Sequence, residues 1–381
     1  MKIEEMHRFF SGIFLFCMCF PFINIFGFNT DVQPNTIILG FLILVFNFKR
    51  LILGTIDRQL LMFLAFAMGG LLFSWNFDFL SLRIAIGLIS ILLNVFIVQN
   101  FVRRKDIKLV VIIAMHIYLL GGLIEYSGVD LSGLVGRDYQ RVAEGGRGFS
   151  SLAPEPSFYA ITVLLFLIYL HPFLTKRKWM SLYVFTIGAL QIFVLARSGL
   201  GILLFIFLLL IRSSFRNALT VVCLGALLAI VSIRTTKLAH IRPVELAQTF
   251  MENGFELILL DGSMNLRISD ILYSHLSVTR RPLGYGTLPW YEYLDQLETG
   301  RLLKSQQDRV MSFTGSFVYS YGIVSLFFFA YLRRRLRSLT RSFRNRRTSW
   351  LFMATLGLNS ISITLPILHM LIAVDYEDIH G

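Results

Sequence analysis

The residues best suited to chemistry stand in a charged, proline-broken stretch in the middle of the chain, residues 147–159. It begins with Arg147, contains Glu155 between two prolines, and runs straight into a long apolar segment. Proline fits the first turn of a helix and keeps the preceding residue out of helical geometry, so we expect a membrane helix to begin at or just after Pro156. An arginine and a glutamate at the lip of a bilayer are costly unless they line a wet cavity. The pattern therefore predicts a functional site with Glu155 at a helix mouth.

A second group of candidates lies in the long polar segment 234–310. Such a long connection inside a compact membrane protein is more often functional than filler. Within it, Ser263 or Asn265 is predicted to cap a helix over 266–278, because both side chains accept hydrogen bonds from a helix N-terminus. We expect this amphipathic helix to lie on the membrane surface, with its apolar face toward the lipid. Its polar face comprises Arg267, Asp270 and Ser274.

Arginine dominates the charged residues that these stretches would place on one side of a membrane. The set comprises Arg137, Arg141, Arg147, Arg197, Arg267, Arg280 and Arg281, together with Glu155 and His275. Guanidinium groups bind phosphate oxygens in pairs of hydrogen bonds and stay charged when partly buried, so the set suits an anionic substrate and would neutralise a diphosphate leaving group without a metal ion. A carboxylate or imidazole within reach would take the proton from an attacking hydroxyl. The sequence has no Gly-rich phosphate loop followed by Lys and Ser/Thr, which argues against ATP-driven work.

Arg197 belongs to a tight hairpin, Arg197-Ser198-Gly199, between two apolar runs. Glycine permits the turn and close helix contact, so the guanidinium is expected at membrane-surface depth beside the neighbouring loop. The alternative is a snorkelling arginine that binds no ligand. For Glu155, the alternative is a helix N-terminal charge that the helix dipole favours.

The elements that must position these residues are membrane-spanning helices. The chain has 381 residues, is 55% hydrophobic and has a mean hydropathy of +0.67. A span requires ~20 apolar residues, and the apolar runs predict an all-α polytopic membrane protein with about 11 (10–12) transmembrane helices and one large extracytoplasmic loop. The predicted spans are 9–28, 35–53, 59–77, 81–102, 107–124, 156–174, 180–196, 199–211, 218–233, 311–332 and 349–373.

These spans divide the chain into four parts. They are a five-span membrane scaffold at 1–124, an outer loop with the Arg/Glu motif plus four spans at 125–233, the large extracytoplasmic loop at 234–310, and C-terminal spans joined by a basic cytoplasmic loop at 311–381. The Lys and Arg clusters between spans all fall on the cytoplasmic side if the N-terminus is cytoplasmic. The net charge of +13 therefore reflects topology and contact with membrane lipids rather than nucleic-acid binding. The three cysteines lie in apolar runs, so we expect no disulfide framework, metal site or cofactor.

Five short motifs follow one another over residues 120–335. They are Arg147-x7-Glu155-Pro156-Ser157, the Arg197-Ser-Gly hairpin, Asp261-Gly-Ser263-x3-Arg267, Pro282-Leu-Gly284-x-Gly286, and Gly315-Ser-Phe-Val-Tyr-Ser-Tyr at the start of the span after the large loop. Their order and spacing resemble the Wzy-type polysaccharide polymerases, which belong with the O-antigen ligases. The family makes O-antigen, capsule or exopolysaccharide.

The resemblance implies a metal-independent glycosyltransferase on the outer face of the bacterial cytoplasmic membrane. It would transfer a growing glycan from undecaprenyl diphosphate to the terminal sugar of another lipid-linked repeat unit, with flippase and chain-length regulator proteins as partners. Arg147 and Arg267 match the family's outer-loop arginines and are expected to hold the diphosphate, and Glu155 is the candidate for the base or for orienting the acceptor. The further substrate-binding candidates are Arg137, which shows the family's Arg-x10-Gly spacing to Gly148, and Arg197, Asp270, His275, Arg280 and Arg281.

Two other classes of protein remain open. An O-antigen ligase-like transferase would attach finished polymer to a different acceptor; the ligases carry a histidine in the large loop, where this chain has His275. The non-enzyme alternative is a transporter or flippase of lipid-linked oligosaccharides. Many transporters show an internal repeat or a pair of broken helices in corresponding halves, and neither feature is found in this sequence.

Overall fold

The computed structural model describes the chain except for residues 1–2, 26, 28–31, 48–56, 75–78, 136–147, 175–176, 213–248, 250, 307–309, 311, 344–345, 359–364 and 375–381. In the ranges described, every regular element is a helix, which confirms the predicted all-α class. Among the described residues, five helices are long and apolar enough to cross a membrane, and this indicates a membrane protein. The five are Ser81–Phe101, Arg104–Tyr126, Pro156–Leu174, Lys178–Ala196 and Phe313–Arg341. The total of eleven spans stays a prediction.

The first third of the chain contributes six helices. They are α1 (Ile3–Cys19), α2 (Asn35–Phe46), α3 (Arg58–Ser74), α4 (Phe79–Phe101), α5 (Arg104–Tyr126) and α6 (Ser132–Val135). Helices α4 and α5 match two predicted spans. The described apolar parts of α1, α2 and α3 are shorter than the spans predicted for them, each of which includes residues outside the described ranges. Helix α1 packs against α2 and α5, and α2 packs against α4, so the predicted scaffold is a connected bundle.

Helix α7 (Pro156–Leu174) lies at the centre of the bundle and keeps the bounds predicted for it. It is apolar on all sides, and such a helix must be covered on all sides by other helices or by lipid. It packs against α5, against α8 (Lys178–Ala189) and against α9 (Gly199–Arg212). In its most apolar stretch, 83% of the residues are buried inside the protein. Its N-terminus is consequently a fixed point, and Glu155 stands immediately before it.

The predicted Arg197 hairpin is confirmed. Helix α8 continues as a π-helix, Leu190–Ala196, and the chain then turns at Arg197 into α9. Arg197 has the left-handed φ of +49°, which is uncommon for a residue with a side chain. The predicted span 218–233 lies outside the described residues.

The described part of the polar segment is helical. It contains a 3₁₀ turn (Gly254–Glu256), α10 (Leu257–Leu260), α11 (Gly262–Arg280) and α12 (Trp290–Asp295). The predicted caps are wrong, because Asp261 caps α11 by accepting from the Met264 N–H at 2.8 Å. The helix begins at Gly262 rather than at residue 266, so Ser263 and Asn265 lie inside it and Asp261 is the residue placed to cap it.

The polar face of α11 is turned into the protein. Ser269, Asp270, Ser274 and Ser277 are buried, while Leu272 and Leu276 on the apolar face are exposed. The buried face packs against α13 (Phe313–Tyr321), where Gly315 lies so close that an added Cβ would be 2.4 Å from the Ser274 Oγ. An outward-facing apolar side is what the predicted contact with a membrane requires.

Most of the predicted basic loop of the C-terminal region is helical in the structure. Helix α13 is followed by a 3₁₀ turn (Gly322–Val324), α14 (Ser325–Ser342), α15 (Arg346–Leu358) and α16 (Pro366–Ala373). The basic stretch expected as a loop after residue 332 is helical through Ser342, because arginine and leucine are good helix formers and two arginines contact the bundle. Arg334 pairs with Asp57, and the Arg335 Nε donates to the Ile372 carbonyl at 3.0 Å. Span 349–373 is divided between α15 and α16, with 359–364 outside the described residues.

Candidate functional site

The segment that leads to Glu155 is held by a carboxylate that the sequence did not single out. Oε2 of Glu125, at the end of α5, accepts from the Ser150 N–H at 2.8 Å and from the Ser151 N–H at 2.6 Å. Both serines are fully buried, so the carboxylate satisfies two amides that water does not reach. Ser151 has a φ of +54°, and its Oγ donates to the Tyr118 carbonyl at 2.7 Å.

The same segment is joined to the Arg197 hairpin through the backbone. The Phe149 N–H donates to the Leu195 carbonyl at 2.8 Å. A Cβ on Gly148 would lie 2.1 Å from the Ala196 carbonyl oxygen, so only glycine permits this approach. The Arg197 guanidinium lies 6.0 Å from the Phe149 ring centroid, and its Nε donates to the Val194 carbonyl at 3.0 Å. The sequence predicted that a loop would lie beside Arg197, and in the structure this is the loop that carries Glu155.

A buried polar network beneath the loop joins three helices. The Tyr159 hydroxyl lies 3.2 Å from the Tyr118 carbonyl and 3.0 Å from Oε1 of Gln191. Gln191 belongs to the π-helix, a distortion that frequently occurs at functional sites. The network ties α5, α7 and the π-helix together, so the Glu155 loop rests on a rigid base.

The side chain of Glu155 contributes little to holding the loop in place. Its carbonyl accepts from the Tyr159 N–H at 3.1 Å as α7 begins, which confirms the predicted helix mouth. The side chain is exposed, and its Oε2 accepts from the Ser157 Oγ at 3.3 Å. The backbone of Glu155 is thus held at the start of α7, while its carboxylate is open to a substrate hydroxyl.

The second group of candidates is organised by α11. Oδ1 of Asp270, which is 2% exposed, accepts from the Trp290 indole N–H at 2.7 Å. Asn265 clamps the chain that follows α12: its Oδ1 accepts from the Leu303 N–H at 2.7 Å, and its Nδ2 donates to the Arg301 carbonyl at 3.2 Å. Asp270 was predicted to bind substrate, whereas in the structure its buried carboxylate holds the indole of Trp290.

Aromatic side chains of α11, α12, α13 and the segment between α11 and α12 form a small core. The cluster comprises Tyr273, Tyr285, Trp290, Tyr293 and Tyr319. The rings of Tyr285 and Tyr319 are stacked 5.3 Å apart, and the guanidinium of Arg281 lies 5.2 Å from the Tyr285 centroid. Burial, followed by the neighbouring Tyr285, raises the pKa of the Tyr293 hydroxyl, which therefore stays neutral. Arg280 and Arg281 are exposed at the rim of this cluster.

The glycine-bracketed turn after α11 is locked to the break between α13 and α14. The Tyr285 N–H donates to the Tyr319 carbonyl at 2.8 Å, and the Ile323 N–H donates to the Pro282 carbonyl at 2.8 Å. Gly284 and Gly322 have φ values of +85° and +52° and pass each other closely. The turn that carries the paired arginines is therefore fixed to a membrane helix.

His275 and Arg267 are both half-buried on α11. The Nδ1 of His275 lies 2.7 Å from the Ile271 carbonyl, so Nδ1 carries the proton and Nε2 keeps the basic lone pair in the neutral ring. His275 is therefore chemically able to act as a base.

The structure divides the described candidates into two groups, one of Glu155 and Arg197, the other of Arg267, Asp270, His275, Arg280 and Arg281. Arg137, Arg141 and Arg147 lie outside the described residues. Sequence reasoning missed Glu125, Asn265 and Trp290 as organising residues. Glu125 had a usable signal, since an acid at the end of an apolar span needs a partner. Within the described ranges no three His, Cys, Asp or Glu side chains cluster as metal ligands.

No protein-family model matches the chain, and a search of curated proteins finds no match. The fold and the site therefore define the class of protein only as an all-helical membrane protein with a carboxylate at the mouth of its central helix.

Proposed function

We propose that the protein is a polysaccharide repeat-unit polymerase that transfers a growing glycan from undecaprenyl diphosphate to another lipid-linked repeat unit. One observation carries the proposal: an exposed glutamate at the mouth of the central helix is held, through its loop, against a hairpin that carries an arginine. The bonds of Glu125 to Ser150 and Ser151 and of Phe149 to Leu195 maintain this arrangement. It supplies a base and a cation on one rigid support, as the transfer requires.

The reaction needs no cofactor. A hydroxyl of the acceptor sugar attacks the anomeric carbon of the donor, a new C–O bond forms, and the bond to the diphosphate breaks. The hydroxyl proton passes to the Glu155 carboxylate, or to Nε2 of His275 if that group lies nearer the acceptor. The diphosphate leaves with the bonding electrons, and arginine side chains neutralise its charge.

The roles of individual arginines follow from the resemblance and from their positions. Arg147 immediately precedes the anchored loop in the sequence, and Arg267 is half-buried on α11, three residues before Asp270. Both are assigned to the diphosphate. Arg197, at its left-handed turn, is assigned to the same anion from the other side of the loop. The remaining substrate-binding candidates are Arg137, His275, Arg280 and Arg281. Asp270 is given the positioning role that its bond to Trp290 supports.

The proposed place of action is the outer face of the bacterial cytoplasmic membrane. The positive-inside rule supports it, because the basic clusters between the predicted spans share one side. The partners would be the lipid-linked oligosaccharide, membrane lipids, a flippase and a chain-length regulator.

Glycan length in a deletion strain tests the function. We expect single repeat units on the lipid carrier, and restoration of long chains by the wild-type protein. Long chains that stay on the lipid would instead identify a ligase, and repeat units trapped on the cytoplasmic side would identify a flippase. Either of these two results would overturn the proposal.

Glu155→Gln tests the base in the same strain. The amide keeps shape and hydrogen bonding but removes basicity, and loss of general base catalysis costs about 10²–10⁴-fold in rate. We expect only short glycans at wild-type protein level in the membrane. The control is Glu298→Gln, at an exposed glutamate outside both groups, which should give normal glycans. Full-length glycan from Glu155→Gln would transfer the base assignment to His275.

A further inference from the structure

A second polar site lies away from both groups, where α1 meets the turn between α4 and α5. A cleft of about 210 Å³ opens there. Its lining comprises Ser11, Gly12, Leu15, Val102, Arg103, Lys105 and Asp106. The volume is below the ~300–1,000 Å³ of sites for drug-sized ligands, so the cleft suits a small chemical group.

The charges around the cleft favour an anion. The lining includes two cationic side chains, Arg103 and Lys105, and one carboxylate, Asp106, which lies in the first turn of α5. The cleft also borders the N-terminus of the 23-residue helix α5, where Arg103 is the N-cap residue and forms no side-chain cap hydrogen bond. A helix N-terminus presents free N–H groups and the positive end of the helix dipole, and phosphate groups bind at such positions.

An independent feature of α1 points to a ligand in the same place. Ser11 lines the cleft and is only 8% exposed, yet its buried Oγ has no hydrogen-bond partner. A buried hydroxyl without a partner is costly, and such a group is well placed to bind a ligand. The neighbouring Gly12 also lines the cleft, and a Cβ added to it would meet nothing within 4 Å, so the cleft has room at Gly12.

We propose that this cleft binds a phosphate group, with the Ser11 hydroxyl and the α5 N-terminus as hydrogen-bond donors and Arg103 and Lys105 as counter-charges. The phosphate would belong to a phospholipid headgroup or to a soluble phosphate. The cleft is separate from the two groups of glycan-site candidates, so the inference does not depend on the proposed reaction.

Native mass spectrometry of the full-length protein in a neutral detergent tests the binding. Phosphatidylglycerol, diacylglycerol and inorganic phosphate are added separately. We expect phosphatidylglycerol to bind and diacylglycerol, which lacks the phosphate, to bind at least about tenfold more weakly. If inorganic phosphate also binds when it is added by itself, the site accepts soluble phosphates as well as the lipid. If inorganic phosphate does not bind, the site is specific for the lipid. Equal binding of the two lipids would overturn the proposal.

Two variants locate the binding. Arg103→Gln with Lys105→Gln should weaken phosphatidylglycerol binding about tenfold or more. The matched control is Arg177→Gln with Lys178→Gln, a basic pair at another helix N-terminus without a side-chain cap. Equal loss in both pairs would show general surface attraction and contradict the site.

Gly12→Leu fills the cleft without touching a charge, and replacing a helical glycine by leucine does not disfavour the helix. It should abolish the binding. Gly69→Leu is the control, because Gly69 is also a helical glycine with nothing within 4 Å of an added Cβ. Unchanged binding in Gly12→Leu would overturn the proposal.

Discussion

The loop before Glu155 and the region around α11 are both fixed to membrane helices, but by different parts of the chain. In the first, the backbone of the segment is held: Ser150 and Ser151 donate to Glu125, and Phe149 donates to Leu195. In the second, polar side chains of the element itself form the anchors. Asp270 binds the Trp290 indole, and Asn265 clamps the chain at Leu303.

This difference indicates which side chains are available for chemistry. A loop held through its amides keeps its own side chains for a substrate, and Glu155 is indeed exposed. A helix whose polar side chains bind neighbouring segments does not have those side chains available for a substrate. Asp270, which binds the Trp290 indole, is buried. We therefore expect substitutions of anchors in the first region to affect glycan synthesis and those in the second to affect mainly stability.

The largest effect is expected for Glu125→Ala. It leaves two buried N–H groups without their acceptor, at a cost of about 1–3 kcal/mol each. The loop should lose its fixed position, so that both the unfolding temperature of the purified protein and the glycan length fall. Glu125→Gln retains an acceptor oxygen and should restore most of both. Normal glycan from the alanine variant would show that the loop needs no anchor, and the contrast between the regions would fail.

Gly284→Ala should follow in size. Alanine at φ +85° costs about 1–2 kcal/mol, and its Cβ would also lie 2.5 Å from the Ser320 carbonyl oxygen, so the turn must shift from α13. The control is Gly300→Ala, since Gly300 has a φ of +59° but nothing within 4 Å of an added Cβ. Thermal unfolding should separate the two, with Gly284→Ala the less stable. Equal unfolding temperatures would mean that the close approach contributes nothing.

Asp270 allows the most direct test of the contrast. Asp270→Ala leaves the buried Trp290 N–H unpaired, which costs about 1–3 kcal/mol. Asp270→Asn keeps an oxygen acceptor for the indole, so it should unfold close to the wild-type temperature and make normal glycan. A stable Asp270→Asn protein without glycan synthesis would return Asp270 to the substrate-binding residues.

The smallest effect is expected for the cap of α11. Asp261→Ala removes the acceptor of the Met264 N–H and should cost about 1 kcal/mol, whereas Asp261→Asn remains a good N-cap. Thermal unfolding measures both. If alanine and asparagine destabilise equally, the carboxylate acts through its charge rather than as a cap.

Local patterns were enough to predict much of the fold. The all-helical class, the start of α7 at Pro156 and the turn at Arg197 follow from apolar periodicity and from the conformational limits of proline and glycine, which act over a few residues. The cap of α11 was misplaced by a short distance, because Asp261, Ser263 and Asn265 are all good caps and only packing chose among them. The helical continuation through Ser342 was missed because the charge of the arginines suggested a loop.

The sequence alone determined that Glu155 stands at a helix mouth and that Arg197 stands in a hairpin. Only the tertiary structure decided that the loop of one lies on the hairpin of the other, that Glu125 anchors the loop, and that Asp270 serves Trp290. Each of these contacts joins residues 20 or more positions apart. The reason is physical: helix formation depends on near neighbours, whereas the partner of a buried carboxylate depends on which distant amide or indole the packed helices bring within 3 Å.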